Sequence, residues 1–217
     1  MQNLYYVLIL FFLFVSCKNE PSQVKEVELS AAQKIANAHG FEIWNKVDEV
    51  RFTFKGKRTW LWKPRTDAVT LIKDTVSINY NRKAIDTSLI RIDRSFINDK
   101  FWLFIPFQLV WDKGTNISNP IKEKAPISGK TKNKITIVYS GNGGYTPGDA
   151  YDIYYNDAYF IEEWVFRKGN RQKPSIVNTF ENYQDFSGIK IALHHKNAKG
   201  KPIVSFTNVQ VNILNSD

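Results

Sequence analysis

The chain of 217 residues contains one cysteine, Cys17, and this thiol is the group whose chemistry is easiest to name. A single cysteine cannot form a disulfide within its own chain, so the thiol is free, bonded to another molecule or modified. Residues 4–15, directly upstream, read LYYVLILFFLFV. This run is shorter than the roughly 20 apolar residues that span a bilayer. Its length is typical of the apolar core of a signal peptide.

The FVSC sequence that ends at Cys17 resembles a lipobox, where lipoprotein signal peptidase cuts before a cysteine that carries diacylglycerol. The resemblance implies that residues 1–16 are a cleaved signal peptide and that residues 17–27 are a lipidated tether, fatty-acylated with chains such as palmitate. Two acyl chains plus one on the amine give stable anchoring in a membrane, whereas a single chain binds only marginally. Residues 1–3 depart from the pattern, because they contain no Lys or Arg. An ordinary signal peptide or a short anchor helix are the alternatives.

Other side chains that could do chemistry are few. His194 and His195 are adjacent, and neighbouring residues of a strand point to opposite faces, so they cannot serve one site. Asp149 and Asp152 are the best acidic pair. The sequence has no HExxH, no His-x-His and no GxSxG, and Cys17 is assigned to lipid. We therefore predict that the protein is not an enzyme and has no catalytic residues, no metal and no cofactor.

The formal net charge is +9, and residues 1–16 contribute none of it. An exported, membrane-tethered protein seldom meets nucleic acid, so we predict no nucleic-acid partner. The lysines are scattered, and they fit either solvated hairpin ends or attraction to anionic lipid headgroups. No linker or repeat divides the rest of the chain, so we predict one monomeric domain over residues 28–217.

Alternating apolar and polar residues predict many strands, as at Val50, Phe52 and Phe54. Ser30 and Gly40 are suited to begin and end a first helix. We predict an α+β, mainly β fold: one curved antiparallel sheet, an incomplete barrel of about nine to ten strands, with an N-terminal helix and a central helical lid. The strand segments are 48–81 (four strands), 135–139, 150–155, 159–166, 175–186, 189–195 and 203–214.

The lid is the stretch 95–112, SFINDKFWLFIPFQLVWD, in which Asn98 or Asp99 could cap a helix and Pro106 would kink it. This stretch is apolar on all sides, so it is either fully buried or lines a cavity under the sheet. A cavity for an acyl chain needs only apolar walls, since each buried CH₂ contributes about 0.8 kcal/mol. The candidate lining residues are Trp60, Trp62, Phe101, Trp102, Phe104, Phe107, Trp111 and Trp164.

The order of helix, strands, central helices and strands is similar to that of the LolA/LolB-type lipoprotein carrier superfamily, over about residues 28–214. The stretches FINDKFW (96–102), GYTPGDAY (144–151) and EWVFR (163–167) resemble those of an uncharacterised family of Bacteroidota lipoproteins. The resemblance implies a half-barrel around an apolar cavity that takes acyl chains.

We therefore expect a membrane-anchored lipoprotein of the bacterial cell envelope that binds a lipid or an acylated protein. The outer membrane, at its periplasmic face or at the cell surface, is the expected location. The loop at residues 145–149, YTPGD, places aromatic, Asp and hydroxyl groups together and favours a second hypothesis, a glycan-binding lipoprotein. A structural role in the envelope is a third.

Overall fold

Thirteen strands and two α-helices make up the part of the chain that the computed structural model describes, residues 28–141 and 146–214. The helices are α1, Ala31–Ala38, and α2, Ile90–Trp111. The strands are β1 (Val47–Phe54), β2 (Arg58–Lys63), β3 (Ala68–Lys73), β4 (Val76–Asn81), β5 (Thr115–Ile117), β6 (Ile121–Lys124), β7 (Thr131–Tyr139), β8 (Ala150–Tyr155), β9 (Ile161–Arg167), β10 (Ile176–Thr179), β11 (Glu181–Phe186), β12 (Ile189–Lys196) and β13 (Pro202–Ile213).

The strands form two antiparallel sheets that do not close into a barrel. The first sheet has seven strands in the order β11-β12-β13-β1-β2-β3-β4. The second has the order β10-β9-β8-β7-β5, and β6 pairs with another part of β7. The mainly β, antiparallel fold with an N-terminal and a central helix is confirmed. The four-stranded meander predicted for residues 48–81 is β1 to β4.

The strand count and the number of sheets differ from the expectation of one sheet of nine to ten strands. The predicted strand 175–186 is two strands, because the chain crosses from one sheet to the other at Phe180. Thr179 pairs with Glu163 in the second sheet, whereas Glu181 pairs with His194 in the first. The short strands β5 and β6 lack the alternation that would have predicted them.

Helix α1 begins and ends where the sequence predicts. The Ser30 hydroxyl accepts a hydrogen bond from the backbone N–H of Gln33, and the Gln33 side chain accepts from the Ser30 backbone in return. Gly40 follows the helix with φ of +93°. A Cβ atom there would lie 2.1 Å from the carbonyl oxygen of Gly188, so only glycine fits.

Helix α2 is longer than predicted, and the predicted caps lie inside it. It begins at Ile90, so the expected start at Asn98 or Asp99 is wrong. The reason is tertiary: the Asp99 side chain is fully buried and accepts hydrogen bonds from the first sheet, so it is not at a helix end. The predicted kink is confirmed, since Phe104 has non-helical angles two residues before Pro106.

Three donors from strand β2 hold the carboxylate of Asp99. Arg58 donates from Nε and Nη2, each over 2.8 Å, and Trp60 donates from Nε1 over 2.9 Å. One turn and a half earlier in α2, Asp93 accepts from Arg82 over 2.8 Å. These two carboxylates fix α2 across the first sheet.

Replacing Asp99 with alanine should lower the free energy of unfolding by about 3 to 5 kcal/mol, because Arg58 and Trp60 then lose a buried acceptor. Urea denaturation of the variant measures this change. The control is Asp157→Ala, which removes an exposed ion pair with Lys122 and should cost less than about 1 kcal/mol. Equal losses in the two variants would contradict the role given to Asp99.

Candidate functional site

Several predicted features lie outside the described residues: the signal peptide over 1–16, Cys17 and the tether over 17–27. Residues 142–145 of the turn-rich loop also lie outside them. Within the described residues, no helix combines the length and apolar character that crossing a membrane requires. No group of three or more His, Cys, Asp or Glu side chains there is arranged to hold a metal ion.

The eight candidate lining residues divide between two apolar clusters on either side of α2. The first core cluster lies between α2 and the first sheet, and the second lies between the helices and the second sheet. Trp102 packs against both. The first cluster holds Trp60, Trp62, Phe104, Phe107 and Trp111, and the second holds Phe101 and Trp164.

Aromatic rings pack closely in the first core cluster. The ring centroids of Trp44 and Trp111 are 4.8 Å apart, and those of Phe104 and Phe107 are 5.5 Å apart and stacked. The Trp62 ring meets Phe104 edge-on at 6.2 Å. Such contacts give packing energy beyond burial alone, so these side chains stabilise the core in this structure.

Three of the eight residues line a small cavity, here called the Trp102 cavity. Its volume is about 120 Å³. Ligand pockets usually measure about 300 to 1,000 Å³, so a long acyl chain would need more room than this. The lining residues are Asn98, Phe101, Trp102, Thr146, Tyr151, Trp164, Phe166 and Ile176.

A much larger groove, of about 850 Å³, lies beside the start of α1. We call it the α1 groove. It is bounded by the first turn of α1, the last turn of α2, the segment from β5 to β6 and the hairpin between β8 and β9. Its lining residues are Glu28, Leu29, Ser30, Ala31, Ala32, Gln33, Lys34, Leu109, Val110, Ile117, Ser118, Asn119, Pro120, Asn133, Tyr155, Asp157 and Tyr159.

The floor of the α1 groove is apolar and its rim is polar. Ala32, Leu109 and Tyr155 form buried parts of the floor, at 6%, 4% and 2% exposure. Leu29 stands at the edge with 44% of its surface exposed. Two charges at the rim of the groove are paired, since the Lys34 ammonium lies 3.1 Å from the Glu28 carboxylate. This arrangement suits a molecule that has an apolar part and a polar part.

Comparison with known proteins gives a distant structural likeness. No protein-family model matches the chain, and no curated protein matches it. Among solved structures, the chain is similar to a DUF1329 family protein from Desulfovibrio piger, with a TM-score of 0.40 and 8% identity. The likeness covers 87% of this chain and 96% of that chain. It is too distant to carry an argument about function, so the resemblance to lipoprotein carriers stays a prediction.

The α1 groove was not found from the sequence, because its lining comes from separate parts of the chain. Leu29 lies before α1, and Ile117 is the last residue of β5. Residues at such positions do not follow the periodicity of a helix or a strand. Pro120 is in a connection. The available signal was the presence of apolar residues at such positions. This signal is weak, because single exposed apolar residues are common.

Most of the titratable groups that the sequence singles out have structural partners. His194 is exposed and His195 is fully buried, so the pair points to opposite faces as strand geometry predicts. Asp149 accepts from the backbone N–H of Gly169 over 2.6 Å. Asp152 accepts from the Arg167 guanidinium over 2.9 Å. Both carboxylates therefore hold the turns of the second sheet in place.

Lys100 is a cation that the sequence did not single out. Its Nζ lies 5.1 Å from the centre of the Trp62 ring and 5.5 Å from that of Trp111. Burial, with a smaller contribution from Arg82, lowers its pKa to about 8, while Asp112 and other carboxylates oppose that shift. The two indole rings attract the ammonium through their π faces and so offset part of its desolvation.

Two buried histidines should make the protein less stable in mild acid. Burial lowers the pKa of His39 and of His195 from 6.5 to about 4. Between these values the unfolded chain binds protons that the folded chain does not. The free energy of unfolding should therefore fall as the pH falls from about 6.5 to 4, by about 3 kcal/mol per histidine.

Urea denaturation between pH 7 and pH 4 measures this loss. His195→Phe should remove about half of the stability loss that the two buried histidines cause. His194→Phe, on the exposed face, should show the same stability loss as the wild type. An identical pH dependence in the wild type and in His195→Phe would contradict the assignment.

Proposed function

We propose that this chain is a lipid-anchored protein of the bacterial cell envelope that binds an amphiphile, with the acyl chain in the α1 groove. The observation that carries the proposal is the groove of about 850 Å³ with an apolar floor and a polar rim. Its volume lies within the range of pockets that bind small molecules. The outer membrane, at either face, is the proposed location.

The chemistry of the groove fits an acyl chain better than a charged solute. An acyl chain gains about 0.8 kcal/mol for each CH₂ that leaves water, and it asks for no polar partner. Leu29, Ala32 and Leu109 offer such a surface. The rim can hold a headgroup through Ser118 and Asn133, whose side chains donate and accept hydrogen bonds.

The first described residue after the proposed tether lines the groove. Glu28 lines the groove, and it follows Cys17 by 28 − 17 = 11 residues. Eleven residues reach at most about 40 Å when fully extended. A groove tied to a bilayer by this length is within reach of lipid, which supports an amphiphilic ligand over a soluble one.

Charged substitutions in the α1 groove should weaken acyl binding. Leu29→Asp and Ile117→Asp each place a carboxylate against the acyl chain, and each should raise the Kd for a fluorescent fatty acid about tenfold. Fluorescence titration of the soluble domain measures this. The matched control is Val76→Asp, an exposed apolar residue on β4 that should leave the Kd unchanged. No binding by the wild type would contradict the proposal.

Glycan binding is the second candidate, and the same groove favours it. Tyr155 and Tyr159 stack with ring centroids 5.8 Å apart, and Asn133 and Asp157 lie beside them. Tyr159 has φ of +63°, which asparagine tolerates, so Tyr159→Asn removes the ring with little strain. Binding on a glycan array that is lost in this variant, without fatty-acid binding, would favour the glycan candidate.

The proposed anchor depends on Cys17 alone. Cys17→Ser removes the only thiol in the chain, so it should abolish acylation and move the protein from the detergent-rich phase to the aqueous phase of a Triton X-114 partition. Incorporation of an alkyne-labelled palmitate should be lost as well. A variant that still carried the label would show that the anchor lies elsewhere.

A further inference from the structure

Three buried polar atoms in or beside the second core cluster have no hydrogen-bond partner among the described residues. They are Nε1 of Trp164, Oδ1 of Asn178 and Nε2 of His195. The side chains are 1%, 0% and 0% exposed. An unpaired buried polar atom is costly, so three in one region call for an explanation.

The three side chains are neighbours between the sheets. Asn178 lies directly opposite Trp164 in the pairing of β10 with β9. Asn178 and His195 donate to the same acceptor, the carbonyl oxygen of Thr179, each over 3.0 Å. The ring of Phe180 lies 4.5 Å from that of His195 and 5.4 Å from that of Trp164.

The hydrogen-bonding character of the three atoms follows from these contacts. Nδ1 of His195 must carry the proton, because its partner is a carbonyl oxygen that can only accept. Nε2 of the neutral ring is then an acceptor. The set is therefore one donor, on Trp164, and two acceptors, on Asn178 and His195. A neutral hydroxyl can donate to an acceptor and accept from the indole, whereas an ionised carboxylate has no proton to give.

Trp102 contacts two of these three residues and also lines the Trp102 cavity. Its ring lies 4.6 Å from the ring of Trp164 and 5.5 Å from that of His195. Trp102 and Trp164 both line the cavity, and Trp102 is partly exposed. Ile176, at the cavity wall, is 38% exposed. Asn178 and His195 do not line the cavity of about 120 Å³, so a ligand in it reaches their polar atoms only when the Trp102 ring moves.

We propose that the Trp102 cavity binds a small neutral molecule with an apolar ring or short chain and one hydroxyl group. The apolar part occupies the space beside Phe101 and Phe166, and the hydroxyl lies among Trp164, Asn178 and His195. An apolar cavity of about 150 Å³ can bind benzene, so a phenol-sized ligand fits the scale of this one. The inference is independent of the α1 groove.

Phenol and toluene are the matched probes, because they have similar size and differ in the hydroxyl. The wild-type domain should bind phenol about tenfold more tightly than toluene, in titrations that follow Trp fluorescence or NMR shifts. His195→Phe, Asn178→Leu and Trp164→Phe should each bring the two affinities together. Asn178→Leu and His195→Phe also remove a hydrogen bond to the carbonyl oxygen of Thr179, so the ratio of the two affinities, and not the melting temperature, is the readout.

Trp44→Phe is the control, because it alters an indole in the first core cluster and should leave both affinities unchanged. If the three atoms hold only a structural water, phenol will bind the wild type no better than toluene. That result would overturn the proposal. If a variant fails to fold, the ratio of phenol to toluene affinity in the wild type still tests the proposal, and equal affinities would contradict it.

Discussion

The buried carboxylate of Asp99 is the contact on which the arrangement of α2 depends. A charge without water must have its lone pairs satisfied, and Arg58 and Trp60 satisfy them from one strand of the first sheet. This fixes the rotation of α2 about its axis. Phe96 and Phe104 then face the first sheet, while Phe101 and Ile105 face the second. One helix can thereby serve as the shared core of two sheets.

Much of the fold could be predicted from the sequence wherever one side of an element is buried and the other is wet. The alternation in β1 and the cap at Ser30 are local signals, and both gave the observed structure. The start of α2 could not be predicted in this way. Asp99 looks like a cap in the sequence, but its partners are about forty residues away and only the folded chain brings them near.

The candidate site followed a different pattern. Trp62 and Phe107 were predicted to line a cavity because they are apolar, but apolar character alone does not separate a cavity wall from a packed core. The α1 groove depends on gaps between elements, and gaps leave no pattern in a sequence. The polar atoms near His195 are similar, since a histidine on a strand gives no sign of whether its second nitrogen finds a partner.

The pairing of β1 with β13 has a consequence for the order in which the chain folds. This pairing places Val47 opposite Ile213, so the first sheet needs both ends of the domain. The second sheet is built entirely from the continuous stretch 115–179 that lies between them. Closing a long loop costs more chain entropy than closing a short one. A domain that emerges amino end first can therefore form its second sheet early, and its first sheet becomes complete only after the last strand has been delivered.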